Sequence, residues 1–123
     1  MRLLADTHVL LWVIQGALSP EGLERIVRDA GEVFASAASI WEIEIKRARG
    51  RLEVPPNFVE LVEQSGFELL SIHYGHAVEA GRLPLHHRDP FDRMLVAQAL
   101  YEPLHLLTHD KMIAAYSDTV ILV

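Results

Sequence analysis

The sequence contains no cysteine, which excludes disulfides and thiolate-bound zinc and fits a reducing compartment. It also lacks a long hydrophobic run. The apolar stretch from Leu3 to Ile14 is broken by Asp6 and His8; it is too short to span a bilayer and carries no small-residue cleavage pattern. Positive charge is scarce, with 11 Lys and Arg against 17 Asp and Glu and a formal net charge of −6. Proteins that coat nucleic acid through its phosphates are basic, so that mode of binding is disfavoured. A nuclease is not, because an acidic metal site contributes negative charge that its cations offset. Repeats, low-complexity segments and linkers are missing too. The expectation is one soluble, cytoplasmic domain over residues 1–123, with no membrane partner. Half of its residues are hydrophobic, enough for a core without staples.

What is present alternates between strand-length apolar runs and longer segments of helical period, the α/β pattern. Strands are expected at Arg2–Ala5, Glu32–Ala35, Phe67–Ile72, Leu104–Leu107 and, at an edge, Thr119–Leu122. Helices are expected over Thr7–Gln15, from a Ser19 cap with Pro20 in its first turn, and over Ala38–Arg49 closed by Gly50. Further helices open at Pro55-Pro56 and run to Ser65, then cover His73–Gly81, Pro90–Tyr101 and Lys111–Tyr116. Strands joined through helices predict a mainly parallel sheet of four to five strands with helices on both faces. Ligand sites of such sheets lie beyond the carboxyl ends of the strands.

That rule selects among the acids. Asp6 follows the first strand directly, and Asp110 comes shortly after the strand ending at Leu107. Asp92 lies in the first turn of the helix opened by Asp89-Pro90, and Glu42 lies early in the helix after the second strand. Carboxylates gathered at one rim repel one another, and a hard cation such as Mg²⁺ or Mn²⁺ supplies a reason for their gathering. Each acid also has a plainer role. Asp89 is a good N-cap, Asp92 complements the helix dipole, and Asp110 caps the helix after it. Asp6, at the end of a buried apolar strand, has no evident structural job, which favours function. Glu42 and Glu44 both border an apolar stripe of Trp41, Ile45 and Ala48, so periodicity leaves open which one faces the site. Trp12 and Trp41 read as packing residues. Arg93 reads equally as a phosphate contact or an ion-pair partner. Lys46 is four residues after Glu42, a spacing of ordinary helical pairs as well as of a phosphate contact at the mouth of a site. The histidines show no zinc-binding spacing; His87 and His109 read first as structural or surface groups and second as substrate contacts.

Four ordered segments resemble the signatures of PIN domains, and among them VapC-like toxins of bacterial type II toxin–antitoxin systems. They are Leu4-Ala5-Asp6-Thr7-His8, Ser36-Ala37-Ala38-Ser39-Ile40-Trp41-Glu42-Ile43, His87-Arg88-Asp89-Pro90-Phe91-Asp92-Arg93-Met94-Leu95 and Leu107-Thr108-His109-Asp110. The resemblance covers essentially the whole chain. It implies a three-layer α/β/α fold, Mg²⁺ or Mn²⁺ dependence and hydrolysis of RNA that leaves 5′-phosphate and 3′-hydroxyl ends. It matches Asp6, Glu42 (rather than Glu44), Asp92 and Asp110 to the family's acids. Thr7 and Thr108 match hydroxyl positions that support them; Asp89, Arg93 and Lys46 join them as supporting residues by their positions beside these acids. It also implies a small antitoxin partner and a homodimer, for which the apolar helices of the first half are candidates. The alternative from another class is a non-catalytic RNA- or protein-binding module. A phosphatase using Asp6 as nucleophile is disfavoured, since Asp6-Thr7-His8 lacks the second acid of an Asp-x-Asp motif.

Overall fold

The structure, a computed structural model, describes residues 1–16 and 22–123. In chain order its elements are β1 (Arg2–Ala5), α1 (Thr7–Gln15), α2 (Leu23–Asp29), β2 (Glu32–Ser36), α3 (Ala37–Ala48) and α4 (Phe58–Gln64). There follow β3 (Glu68–Leu70), α5 (Tyr74–Arg82), α6 (Pro90–Tyr101), β4 (His105–Thr108), α7 (Lys111–Ala114) and β5 (Ile121–Leu122). The Ser19 cap and Pro20 lie outside the described residues.

The five strands form one sheet in the order β3-β2-β1-β4-β5, and each neighbouring pair is parallel. The central strands are apolar on both sides because both faces are covered. Leu3, Ala5, Val33, Ala35 and Leu107 pack with α1, α2 and α4 on one face. Leu4, Phe34 and Leu106 turn to the other, against Leu95, Val96 and Ala99 of α6 and Ile113 of α7. Helix α5 lies against α6, and α3 touches both clusters through Ile43 and Ala38. The result is a three-layer α/β/α sandwich. No described helix is long and apolar enough to cross a membrane.

Besides α7, which ends at Ala114 rather than Tyr116, three elements are shorter than their sequence pattern. β3 stops at Leu70 because its partner β2 ends at Ser36, paired with Leu70, where the chain turns into α3. α4 starts at Phe58 rather than at the prolines. Pro56 biases Pro55 to extended backbone, and the Pro55 carbonyl instead accepts the Phe58 N–H in a turn. β5 is cut to two residues because Thr119 is held in a turn, its N–H donating to Ser117 Oγ.

The sheet order reverses between β1 and β4. From β1 the chain winds outward to β2 and β3, while β4 and β5 lie on the other side. Loops leaving β1 and β4 therefore diverge to opposite directions and open a crevice above the carboxyl ends of the two central strands.

Candidate active site

Asp6 ends β1 at this crevice and does two things there. Its Oδ1 accepts the Val9 N–H at 2.8 Å, capping α1, and its Oδ2 accepts the Thr108 hydroxyl. The expectation that Asp6 lacks a structural job is thus corrected: an acid immediately before a helix is a cap wherever it sits. Thr108, at the end of β4, also accepts the Asp110 N–H at 3.0 Å, so one hydroxyl ties the two strand-end acids together. Asp110 caps α7 through Oδ1, leaving Oδ2 toward the crevice. Asp89 accepts the N–H groups of Phe91 and Asp92 as the cap of α6, and the first turn so fixed carries Asp92.

Glu42 arrives from α3. The buried face of that helix is Ala38, Ser39 and Ile43, not the expected stripe of Trp41, Ile45 and Ala48. Small residues let the helix approach closely, and the buried Ser39 hydroxyl receives a hydrogen bond from Thr7 at 2.9 Å. This rotation turns Glu42 into the crevice beside Lys46, whose Nζ is 3.3 Å from Glu42 Oε2. Glu44 faces away and pairs with Arg47 at 2.7 Å. It also corrects the reading of Trp41 as a core residue. Trp41 is 62% exposed, with an edge contact to Phe91 at a ring distance of 5.3 Å. Trp12 does pack, half-buried, against His8 and His109.

The crevice has a volume of about 510 Å³, and Asp6, Glu42, Asp89, Asp92, Asp110, Thr7 and Lys46 all line it. His8, Leu11 and His109 complete its wall. Burial raises the Asp6 carboxyl above its ordinary value, against the lowering by its bonds to Thr108 and Val9. Asp92 is pushed up to about 7, first by burial and then by the negative charge of Asp89, Glu42 and Asp6, with His87 opposing. Glu42 Oε1 is buried with no hydrogen-bond partner among the described residues. A carboxylate oxygen removed from water without a donor is costly, and a cation in the crevice would supply what it lacks. The all-oxygen set of Asp6, Glu42, Asp92 and Asp110 suits a hard divalent ion such as Mg²⁺ or Mn²⁺.

Arg93 does not line the crevice. Its guanidinium donates to the carbonyls of Ala80 at 2.8 Å, Pro84 at 3.0 Å and Leu83 at 3.2 Å, clamping the chain between α5 and α6. This corrects its reading as a phosphate contact or ion-pair partner: a five-donor fork satisfies several carbonyls of one turn at once. Arg93→Met is expected to lower stability by roughly 2 kcal/mol, measured by denaturant titration, because charged donors to these carbonyls are lost. Metal binding by the folded variant should be little changed.

Among the described residues two clusters with histidine lie within metal-binding distance, His73–His76–Glu102 and His87–Asp92–Asp110; the first has a local His-x-x-His spacing. Its ring nitrogens argue against a metal. His73 Nδ1 accepts the Gly75 N–H and His76 Nδ1 accepts the His73 N–H. Both protons therefore sit on Nε2, and the buried His76 donates to Glu102 at 2.6 Å. The cluster joins the start of α5 to the end of α6. The sequence puts His87 first among the structural or surface groups. The structure instead sets it against two of the acids. The signal in the sequence was its place two residues before a helix cap, where an imidazole Nδ1 accepts the N–H two positions on.

The sequence pattern of the PIN domain matches residues 3–118. No curated protein matches the chain. Among solved structures, the chain is similar to one in VapBC2 from Rickettsia felis bound to a fragment of its promoter DNA. There the TM-score is 0.72 at 13% identity, covering 100% of this chain and 98% of that one. DNA-bound VapBC from Salmonella typhimurium gives a TM-score of 0.71 at 17% identity, with 100% and 97% covered. FitAcB from Neisseria gonorrhoeae gives 0.69 at 15%, with 98% and 96% covered.

Proposed function

The chain belongs to the PIN domain family, and we propose that it is a metal-dependent endoribonuclease whose single domain spans residues 1–123. The observation that carries this reading is the convergence of four carboxylates from four elements on one crevice, one of them holding an orphaned buried oxygen. Asp6, Asp92 and Asp110 would hold Mg²⁺ or Mn²⁺, with Glu42 ligating directly or through water. The chemistry such an ion supplies is Lewis acidity toward water and toward phosphoryl oxygen.

The chain's own groups prepare the site. Thr108 fixes the orientation of Asp6 and Asp110, and the Asp89 cap fixes the turn that carries Asp92. Lys46 stands exposed at the mouth, where its charge offsets Glu42 and can meet a phosphate of an incoming strand. Arg49 and Arg51, exposed and close to it in sequence, add positive charge to this segment of a chain that is otherwise acidic. No side chain is required as nucleophile, since water attack leaves 5′-phosphate and 3′-hydroxyl ends.

The physiological setting we propose is the toxin role of a bacterial toxin–antitoxin pair, in the cytoplasm, as a homodimer held by a small antitoxin that blocks RNA entry. The likeness in fold to chains of VapBC and FitAcB supports it. The test is incubation of a mixed RNA panel with purified protein in Mg²⁺, Mn²⁺ or EDTA. Cleavage with either metal and none in EDTA is expected; metal-independent cleavage, or RNA retention without any cleavage, favours a different catalyst or a binding module.

A further inference from the structure

His87 lies in the loop before α6, and four of its groups are engaged. Its N–H donates to the Tyr116 hydroxyl at 2.8 Å, and its carbonyl accepts from Arg93. Its ring is largely buried, with 13% of the side chain exposed. Nδ1 accepts the Asp89 N–H at 3.0 Å, so that nitrogen carries no proton and Nε2 must carry one. Nε2 stands 2.9 Å from Asp110 Oδ2 and 3.2 Å from Asp92 Oδ2.

A nitrogen that carries a proton has no lone pair to offer a cation. Freeing it would mean moving the proton to Nδ1 and leaving the Asp89 N–H without its acceptor, which would loosen the cap of α6. Among the described residues His87 thus enters the carboxylate cluster as a donor, not as a ligand. It sits between acids of different origin, one on α6 and one after β4. Without a donor there, the two carboxylates would turn apart to escape repulsion. A carboxylate oxygen has two lone pairs, so Asp110 Oδ2 can keep the imidazole N–H on one while the other faces the crevice.

We propose that His87 is a positioning residue, whose Nε2–H holds Asp92 and Asp110 side by side as a preformed pair for the divalent ion. This rests on the metal-dependent reading of the crevice. Its consequence is a site that binds its cation tightly because the acids need not be gathered at the moment of binding. Loss of hydrogen-bond partners of metal ligands weakens metal binding by about 10–100-fold.

The test is Mn²⁺ binding, read as free Mn²⁺ by electron paramagnetic resonance, at one fixed pH. It compares wild type with His87→Ala, His87→Phe and His87→Gln. Phenylalanine keeps the ring volume and loses both nitrogens, so it serves even if the alanine variant does not fold. Glutamine retains an N–H donor. Binding about tenfold weaker in Ala and Phe, with Gln within about threefold of wild type, is expected. Wild-type binding with Ala and Phe equal to it, or tighter, overturns the role of His87 alone. Phe and Gln weakened alike also overturns it, since the donor would then be irrelevant. A wild-type protein that binds no Mn²⁺ brings down the metal reading itself and this inference with it.

Discussion

Asp6→Asn is expected to lower RNA cleavage by on the order of 10²–10³-fold, the usual cost of losing one preorganised charge-stabilising group, while leaving the fold intact. Asparagine is as good an N-cap as aspartate, so its amide oxygen can keep the Val9 N–H that Asp6 Oδ1 accepts. The Thr108 hydroxyl, now facing an amide nitrogen in place of Asp6 Oδ2, has lone pairs to accept from it. Burial opposes the charge of Asp6, so removing that charge costs the metal-free protein nothing. Asp6→Ala separates the two roles further. It should show the same loss of cleavage together with about 1 kcal/mol of lost stability, because the cap goes as well. Cleavage rate and urea midpoint measured on the same preparations check both. A wild-type rate in the Asn variant contradicts the assignment of Asp6.

The second large effect is on pH. In the metal-free protein Asp92 is raised to about 7 from 3.8, so between these values the folded state holds a proton that the unfolded chain has released. Stability of the metal-free protein should therefore fall as pH rises from about 4 to about 7, and level off above, so far as Asp92 governs it. A cation removes this slope, because it binds the ionised carboxylate and displaces that proton, leaving the metal-bound and unfolded states alike at Asp92. Mn²⁺ affinity is expected to climb about tenfold per pH unit up to about 7 and then flatten. Thermal melts across pH 5 to 8 should fall with pH in EDTA and stay level in saturating Mn²⁺, so far as Asp92 governs them. Asp92→Asn should remove most of the slope in EDTA and raise the metal-free melting temperature at pH 8 by roughly 4 °C, or about 1 kcal/mol. Parallel slopes with and without Mn²⁺ would place no titrating carboxylate at a cation site.

Strand positions were legible in the sequence because β1, β2 and β4 are short apolar runs covered on both faces, and five strands joined through helices can be parallel only in a few orders. The gathering of Asp6, Glu42, Asp92 and Asp110 at one rim was legible for the same reason: each lies just after a strand or in the first two turns of a helix at the carboxyl edge. What hid was set by close packing rather than by hydrophobicity. Helix α3 buries Ala38 and Ser39 and exposes Trp41, the reverse of what residue size suggests, so its orientation could not be read from its apolar stripe. Arg93 looked like a site residue from its place beside Asp92, but adjacent helical positions point about 100° apart, and it clamps carbonyls instead. His87 lies 23 residues from its partner Asp110, and its place before the α6 cap announces only the local bond to the Asp89 N–H.

The central claim is that the crevice between β1 and β4 is a divalent-metal site. Anomalous diffraction from crystals grown with Mn²⁺ tests it most directly. The account predicts one or two Mn²⁺ peaks within ligating reach of Asp6, Asp92 and Asp110, with His87 Nε2 outside the coordination sphere. An empty crevice at saturating Mn²⁺, or a peak at His73, His76 and Glu102 in its place, would contradict it.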